Sequence, residues 1–188
     1  MRKIIVEVEV SVDGAIGGEN LDFWQQVFPF HSDDVQEYLN DLLYMPDALL
    51  MGRKTYAFFA EVWPARQGKE ADRMNTMPKY VASRTLQEPL KWNASLIKGD
   101  VVEEIKKLKN APGKSLLQYG TGGLTQTMLK HGLVDEFHII VFPFTFGERP
   151  RIFEHMGVNT LKLLGTRAFT SGAVLHHYQP QYEFAPTP

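Results

Sequence analysis

The hydrophobic pattern changes period along the chain, and each change predicts an element. Ile4 to Val10 alternates apolar and charged positions from Ile4, with β-branched residues dominant, and reads as a first strand from which Ser11 to Gly18 departs as a loop. Asp33 and Gln36 fit a capping pair ahead of Val35, Tyr38, Leu39, Leu42 and Leu43, whose three-and-four spacing predicts a helix with one buried stripe. Pro46 lies just past its end. Ala48 to Met51, bounded by Pro46 and Gly52, is the short unbroken apolar run of a buried parallel strand, and a second helix is expected to start near Thr55. Lys79 to Ser83 and Ser95 to Lys98 predict two more strands. Asp100 with Glu103 repeats the capping pair before a helix ending around Lys109, and Pro112-Gly113 closes that unit. Ser115 to Tyr119 is strand-like, Gly120 to Gly123 a sharp turn, and Leu124 to Leu133 helical, with Gly132 near its end. Strand patterns then follow one another at Phe137 to Phe144, Thr160 to Leu164, Thr166 to Thr170 and Ala173 to Tyr178, the last two joined by a tight hairpin at Ser171-Gly172.

Strands alternating with helices, then a strand-rich end, predict an α/β fold: a mainly parallel sheet covered by helices, with an antiparallel hairpin at one edge. Ligands of such sheets bind at the carboxyl ends of the strands, so the segments Ser11 to Gly18, Gly52 to Tyr56 and Gly120 to Gly123 are where chemistry is expected. With 188 residues and 44% hydrophobic positions, one domain over residues 1–180 and a short tail at 181–188 are expected. The net charge of -2, without a long single-sign block, argues against a nucleic-acid partner. The chain has no cysteine, so redox chemistry would need a cofactor. Glu7 and Glu9 interrupt the apolar N-terminal stretch, which argues against a signal peptide or membrane span; no membrane partner and a cytoplasmic location are expected.

Leu116 to Leu124 carries the strongest local signal, an apolar strand running through Gly120, Thr121, Gly122 and Gly123 into a helix. Glycines let backbone N–H groups approach a phosphate and the helix N-terminus adds positive potential; the plainer alternative is a tight strand-to-helix turn. At Gly52-Arg53-Lys54-Thr55 a buried strand opens onto two cations and a hydroxyl. Arg53 can fork onto a phosphate, with Ser83 and Arg84 joining it, unless Arg53 is only a solvated cation and Arg84 a partner of Glu88. Asp13 can hydrogen-bond a ligand or simply cap its own turn. Asp22, Asp33 and Asp34 are weaker candidates, with loop solubility, helix capping and a first-turn dipole contact as their alternatives. His176 and His177, adjacent on a strand, point to opposite faces, so no metal site is expected from that pair. Phe142, Phe144 and Phe146 have the spacing of a packed strand face or dimer contact, and Lys106, Lys107 and Lys109 read as the solvated side and end of a helix.

Five motifs in order, Ser11 to Gly14, Leu50 to Tyr56, Lys79 to Leu86, Gly120 to Leu124 and Gly132 to Glu136, resemble the dihydrofolate-reductase superfamily. The resemblance is to the branch similar to the C-terminal reductase domain of the bifunctional riboflavin-biosynthesis deaminase-reductase. It implies a sheet of about eight strands, NADPH bound across it, hydride transfer to a small heterocyclic or imine or carbonyl acceptor, and usually a homodimer. Residue by residue it implies Gly52, Arg53 and Thr55 on the adenosine side of NADPH, Ser83 and Arg84 near the 2′-phosphate, and Gly120 to Gly123 at the diphosphate. Ala15, Ile16 and Gly17 would form a mobile loop beside the nicotinamide, with Trp24 and Asp13 on the substrate side and Asp13 touching the acceptor. Two residues ahead of the diphosphate glycine, where that branch has glutamate, this chain has Gln118, which alters the substrate side. The loop from Gly147 to Phe153 lacks that branch's second glycine, and no zinc-deaminase motif is present. The proton donor stays open among Asp13, Asp22, Asp33, Asp34 and water. A module of the same fold that binds a nucleotide or flavin without turnover is the alternative function.

Overall fold

The computed structural model describes residues 1–147 and 150–182. Along the chain run β1 (Ile4–Ser11), α1 (Leu21–Val27), α2 (Asp33–Tyr44), β2 (Pro46–Gly52), α3 (Arg53–Val62), α4 (Lys69–Thr76), β3 (Lys79–Ala82), β4 (Ala94–Leu96), α5 (Val101–Asn110), β5 (Ser115–Tyr119), α6 (Gly123–Lys130), β6 (Glu136–Phe142), β7 (Thr160–Ala168) and β8 (Val174–Gln181). They build one eight-stranded sheet in the order β4-β3-β2-β5-β1-β6-β8-β7. Pairings from β4 through β6 are parallel, and β8 and β7 add an antiparallel edge. This is the dihydrofolate-reductase-like architecture that the motifs imply.

β1 explains why the sheet needs two helical layers. It lies between β5 and β6, so both of its faces are covered. Ile4, Val6, Val8 and Val10 pack with Ile105 of α5 and Met128 and Leu129 of α6, while Ile5 on the other face meets Leu42 and Leu43 of α2. Glu7 and Glu9 share the α2 face with Ile5, so the charged positions of the alternation lie under a helical layer.

Other departures have local causes. Ser32, with extended φ and ψ, is the residue before α2, and Asp33 is the first helical residue rather than the cap. The segments Thr160 to Leu164 and Thr166 to Thr170 are largely one strand, β7, whose register shifts at Leu163/Gly165. β6 stops at Phe142 because Pro143 has no N–H for the ladder. Phe144 and Phe146 then turn inward onto Phe23, with ring centroids 5.6 and 5.3 Å away, so this face is core. α1 and α4 are short and polar, and escaped the pattern because packing of Phe23, Val27 and Met74 rather than a long stripe holds them. Lys109 is not solvated: it is 3% exposed and donates to Leu133 O and Asp135. β8 runs on to Gln181 and Tyr182 donates to Val134 O at 2.7 Å, so the domain extends past residue 180. The rest of the expected tail, 183–188, lies outside the described residues, as do Glu148 and Arg149 of the Gly147 to Phe153 loop. No described helix is long and apolar enough to cross a membrane.

One buried cation yields a stability prediction. Lys79, 1% exposed at the start of β3, donates to Asn75 O at 3.0 Å and lies 4.1 Å over the Trp92 ring, with no carboxylate bonded to it among the described residues. Desolvation lowers its pKa to about 8 from 10.5. Below the folded value both states carry the proton and the native state bears the full burial cost. Between the folded and unfolded values the unfolded chain holds more protons, so stability from this group rises with pH. Lys79→Met is therefore expected to stabilise at neutral pH by about 1–2 kcal/mol and to lose that advantage near pH ~10. Urea unfolding of both proteins at the two pH values measures this; a destabilised methionine variant at neutral pH would contradict it.

Candidate functional site

Four neighbouring parallel strands, β3, β2, β5 and β1, end on the same edge of the sheet. At about 4.8 Å between strands their carboxyl ends form a row about 14 Å long. In spatial order the row carries Ser83 and Arg84, then Gly52, Arg53 and Thr55, then Gly120 to Gly123, then Ser11 to Gly18. The four segments are far apart in sequence, and strand order alone brings them together.

The glycine turn is held from below. Gly120, at φ 71°, is in the left-handed region that favours glycine, and its N–H donates to Glu7 O at 2.7 Å. Gln118 is buried and its amide donates to Gly120 O at 2.8 Å and to Thr125 Oγ1 at 2.5 Å. Thr125 Oγ1 also accepts from Gly122 N at 3.2 Å. Gln118, expected on the substrate side, thus spends its amide hydrogens on bracing the turn. Above the turn there is space. A Cβ at Gly52, Gly120, Gly122 or Gly123 would meet no heavy atom within 4 Å, so no side chain or backbone packing demands glycine there. The first N–H groups of α6 have no helical partner by geometry, and Thr121 Oγ1 is buried with no hydrogen bond.

Arg53 opens α3 directly after Gly52, with Thr55 in the same first turn. Arg53 and Arg84 are both exposed, and neither makes an ion pair among the described residues. Glu88, the alternative partner for Arg84, instead pairs with Lys98 and accepts from Leu96 N at 3.2 Å. Ser83 Oγ accepts from Thr85 N and Leu86 N at 3.1 and 3.0 Å, which shapes the turn after β3 and leaves its hydroxyl hydrogen to donate.

The segment after β1, where a mobile loop is expected, is tied to its neighbours. Ile16 bridges Val10, Ala15 bridges Arg151, and Ala15 N donates to Ser11 Oγ at 3.0 Å. Asp13 accepts from Ser11 Oγ at 2.6 Å, Phe146 N at 3.0 Å and Gly147 N at 2.8 Å, which hold its pKa down at about 2. It is ionised at neutral pH and acts first as a tie between loops. Gly17 has a packing reason for being glycine, since its Cβ would lie 2.4 Å from Phe23 Cδ1 and 2.9 Å from Trp24 Cε2. Trp24, on α1, closes over this turn and donates to Gly18 O at 3.0 Å. Asp22 and Asp33 are exposed, and Asp34 is tied to Ser32 and Thr170 and likewise held at about 2.

Two acids that the sequence pattern left unassigned, Glu7 and Glu9, lie on β1 toward this edge. Beyond Glu7, β5 no longer accompanies β1, because its last residue Tyr119 pairs with Glu7. Glu9, on this unaccompanied stretch and 8% exposed, bonds to His31 Nε2 at 3.0 Å. Glu7 is fully buried, desolvation raises its pKa, and Oε1 has no partner. Two acids in an otherwise apolar central strand were the sequence signal for both.

A family model described as the RibD C-terminal domain matches residues 2–175. The uncharacterized protein YyaP of Bacillus subtilis (strain 168) is 32% identical over 180 residues, covering 92% of each chain. Among solved structures, a putative riboflavin biosynthesis protein from Shewanella sp. PV-4 superposes with TM-score 0.74 at 24% identity, covering 95% of this chain and 99% of that one. A pyrimidine reductase-like protein from Corynebacterium diphtheriae superposes with TM-score 0.63 at 12% identity, over 96% and 92%. Acinetobacter baumannii RibD gives TM-score 0.63 at 14% identity, and this chain spans 58% of its length.

Proposed function

The chain belongs to the RibD C-terminal domain family, and on that premise we propose that it is a cytoplasmic NADPH-dependent reductase of a small heterocyclic acceptor, pterin- or pyrimidine-like, with a C=N or C=O bond to reduce. What carries the proposal is the unfilled space at Gly52, Gly120, Gly122 and Gly123, four glycines on one sheet edge of which only Gly120, at φ 71°, is called for by its own backbone. A ligand whose backbone-bound phosphates sit there accounts for them. Bound NADPH would supply the hydride; the protein supplies orientation and charge.

The order of the row matches an extended dinucleotide. Arg84, Ser83 and Arg53 offer two unpaired guanidinium groups and a hydroxyl for a terminal phosphate, Thr55 lies in the adjacent first turn, and the α6 N-terminus receives the diphosphate. The nicotinamide end then falls beside β1 and the pinned turn at Ala15 to Gly17. Asp13 orders this side through Phe146 and Gly147, and Trp24 walls it. Asp13 and Asp34, ionised at neutral pH, hold no proton to give, whereas the Glu9–His31 pair stands on the α2 face near the end of β1 and can relay one from water. Leu163 and Leu164, 51% and 44% exposed on the edge strand β7, are the surface through which a homodimer would form.

Arg53→Ala is expected to weaken NADPH binding about tenfold to a hundredfold and to leave NADH binding unchanged, as measured by calorimetric titration of each cofactor. An unaltered preference between the two removes Arg53 from the phosphate site. A nucleotide-binding module without turnover has one observation in its favour, the internal engagement of both Asp13 and Gln118. NADPH oxidation across pterins, pyrimidines and cyclic imines decides between them: binding without oxidation of any acceptor selects the module.

A further inference from the structure

A transverse row of polar residues crosses the α2 face of the sheet. Tyr119 of β5 pairs with Glu7 of β1, Glu7 with His138 of β6, and His138 with His177 of β8. In a strand the residue two positions away shares the same face, which brings Glu136 beside His138. His176 points the other way and stacks on Tyr178, so the adjacent histidines do divide between faces. What adjacency in sequence concealed is that His177 faces a second histidine and a glutamate across the β6/β8 ladder.

We propose that Glu136 Oε2, His138 Nε2 and His177 Nε2 form a divalent-metal site, of the zinc class by ligand type, that fastens the antiparallel edge to the parallel sheet. Both ring nitrogens aim at one carboxylate oxygen, at 3.3 Å from His138 and 3.1 Å from His177, and the three ligand atoms all lie within 4.8 Å of one another. Ligands on tetrahedral zinc, with bonds of about 2.0–2.1 Å, are about 3.4 Å apart, so the cluster needs only small adjustment to close on an ion.

The surroundings suit that role. Lys3 takes the other oxygen, Oε1, at 2.6 Å and leaves Oε2 to the histidines. A carboxylate and neutral imidazoles are the forms that bind metal, so closing on an ion displaces any proton shared between Oε2 and the two Nε2 atoms. His138 Nδ1 is bonded to Tyr38 OH of α2, the outer contact that orients a ligating ring. The His177 side chain is 28% exposed, so a water can reach the fourth position. The site is level with Tyr119, the residue before the glycine turn, but two strands to the side, about 10 Å away across β1, and its test reads metal binding and melting without the cofactor.

Tag-free protein stripped with a chelator is titrated with zinc sulfate by calorimetry and with cobalt(II) by visible absorption. The expected result is one equivalent bound, cobalt d–d bands of nitrogen and oxygen ligation, and a thermal midpoint raised by zinc. His177→Ala and Glu136→Gln should each weaken zinc binding more than about 100-fold, beyond what loss of an outer-shell partner costs, and His176→Ala should bind like the parent. The His177 side chain is 28% exposed on β8, one strand in from the edge, so its alanine variant is expected to fold and keep the test open. Failure of the parent chain to bind zinc or cobalt saturably overturns the site and leaves a proton-sharing cluster, and so does zinc binding that survives His177→Ala.

Discussion

Asparagine at position 135 lowers the free energy of unfolding by about 2–4 kcal/mol, and alanine by more. Asp135 Oδ2 accepts from Ile4 N at 2.7 Å and from Lys109, whose side chain is 4% exposed. One carboxylate thus joins the first residue of β1, the last turn of α5 and the approach to β6. Removing its charge leaves the Lys109 ammonium buried with only the Leu133 carbonyl, 2.8 Å away, to answer it. Asparagine still offers an acceptor to Ile4 N; alanine orphans that N–H as well. The reciprocal change Lys109→Met is expected to cost only about 1 kcal/mol, because Asp135 is 32% exposed and keeps both water and Ile4 N. Added salt should narrow these differences little, since the lysine end is out of solvent. Urea titrations of the three variants measure the series. A lysine variant worse than Asp135→Ala would reverse the assignment of which partner bears the burial cost.

That pair also marks where sequence reasoning stops. Leu116 to Gly123 and Ala48 to Gly52 were legible because a strand buried on both faces must be apolar throughout, and a chain that then turns into a helix under a ligand must drop its side chains. Both constraints act within eight residues. Asp135 and Glu136 stood out only as part of a motif, and their roles depend on partners far along the chain: Lys109 and Ile4 for the first, Lys3, His138 and His177 for the second. The solvated reading of Lys109 followed helix spacing alone, which carries no information about a carboxylate on the approach to β6, 26 residues on. The surroundings of Glu7 and Glu9 were hidden for the same reason. Alternation describes a strand with one wet face, whereas β1 acquires a second covered face only when β5 and β6 both pair with it and α2 closes over them. The Gln118 amide is engaged by Thr125, seven residues on, through the very turn that the glycines announce.

Valine at position 122 is expected to reduce NADPH affinity more than about 100-fold, roughly 2.7 kcal/mol, while leaving the fold nearly as stable as before. Gly122 has φ 171°, extended backbone that a β-branched residue adopts, and its Cβ position is open for 4 Å. The added Cβ would therefore enter open space above the α6 N-terminus, and a phosphate would lose its approach to the N–H groups there. Gly17→Ala is the contrasting case. Its Cβ would collide with Phe23 and Trp24, so any lost affinity should come with a lower melting temperature. Calorimetric NADPH titration paired with thermal melts separates the two: affinity without stability for Gly122, both together for Gly17. Unchanged NADPH binding in the valine variant would mean that the open turn is not a phosphate cradle, and the row of strand ends would lose the contact that gives it its direction.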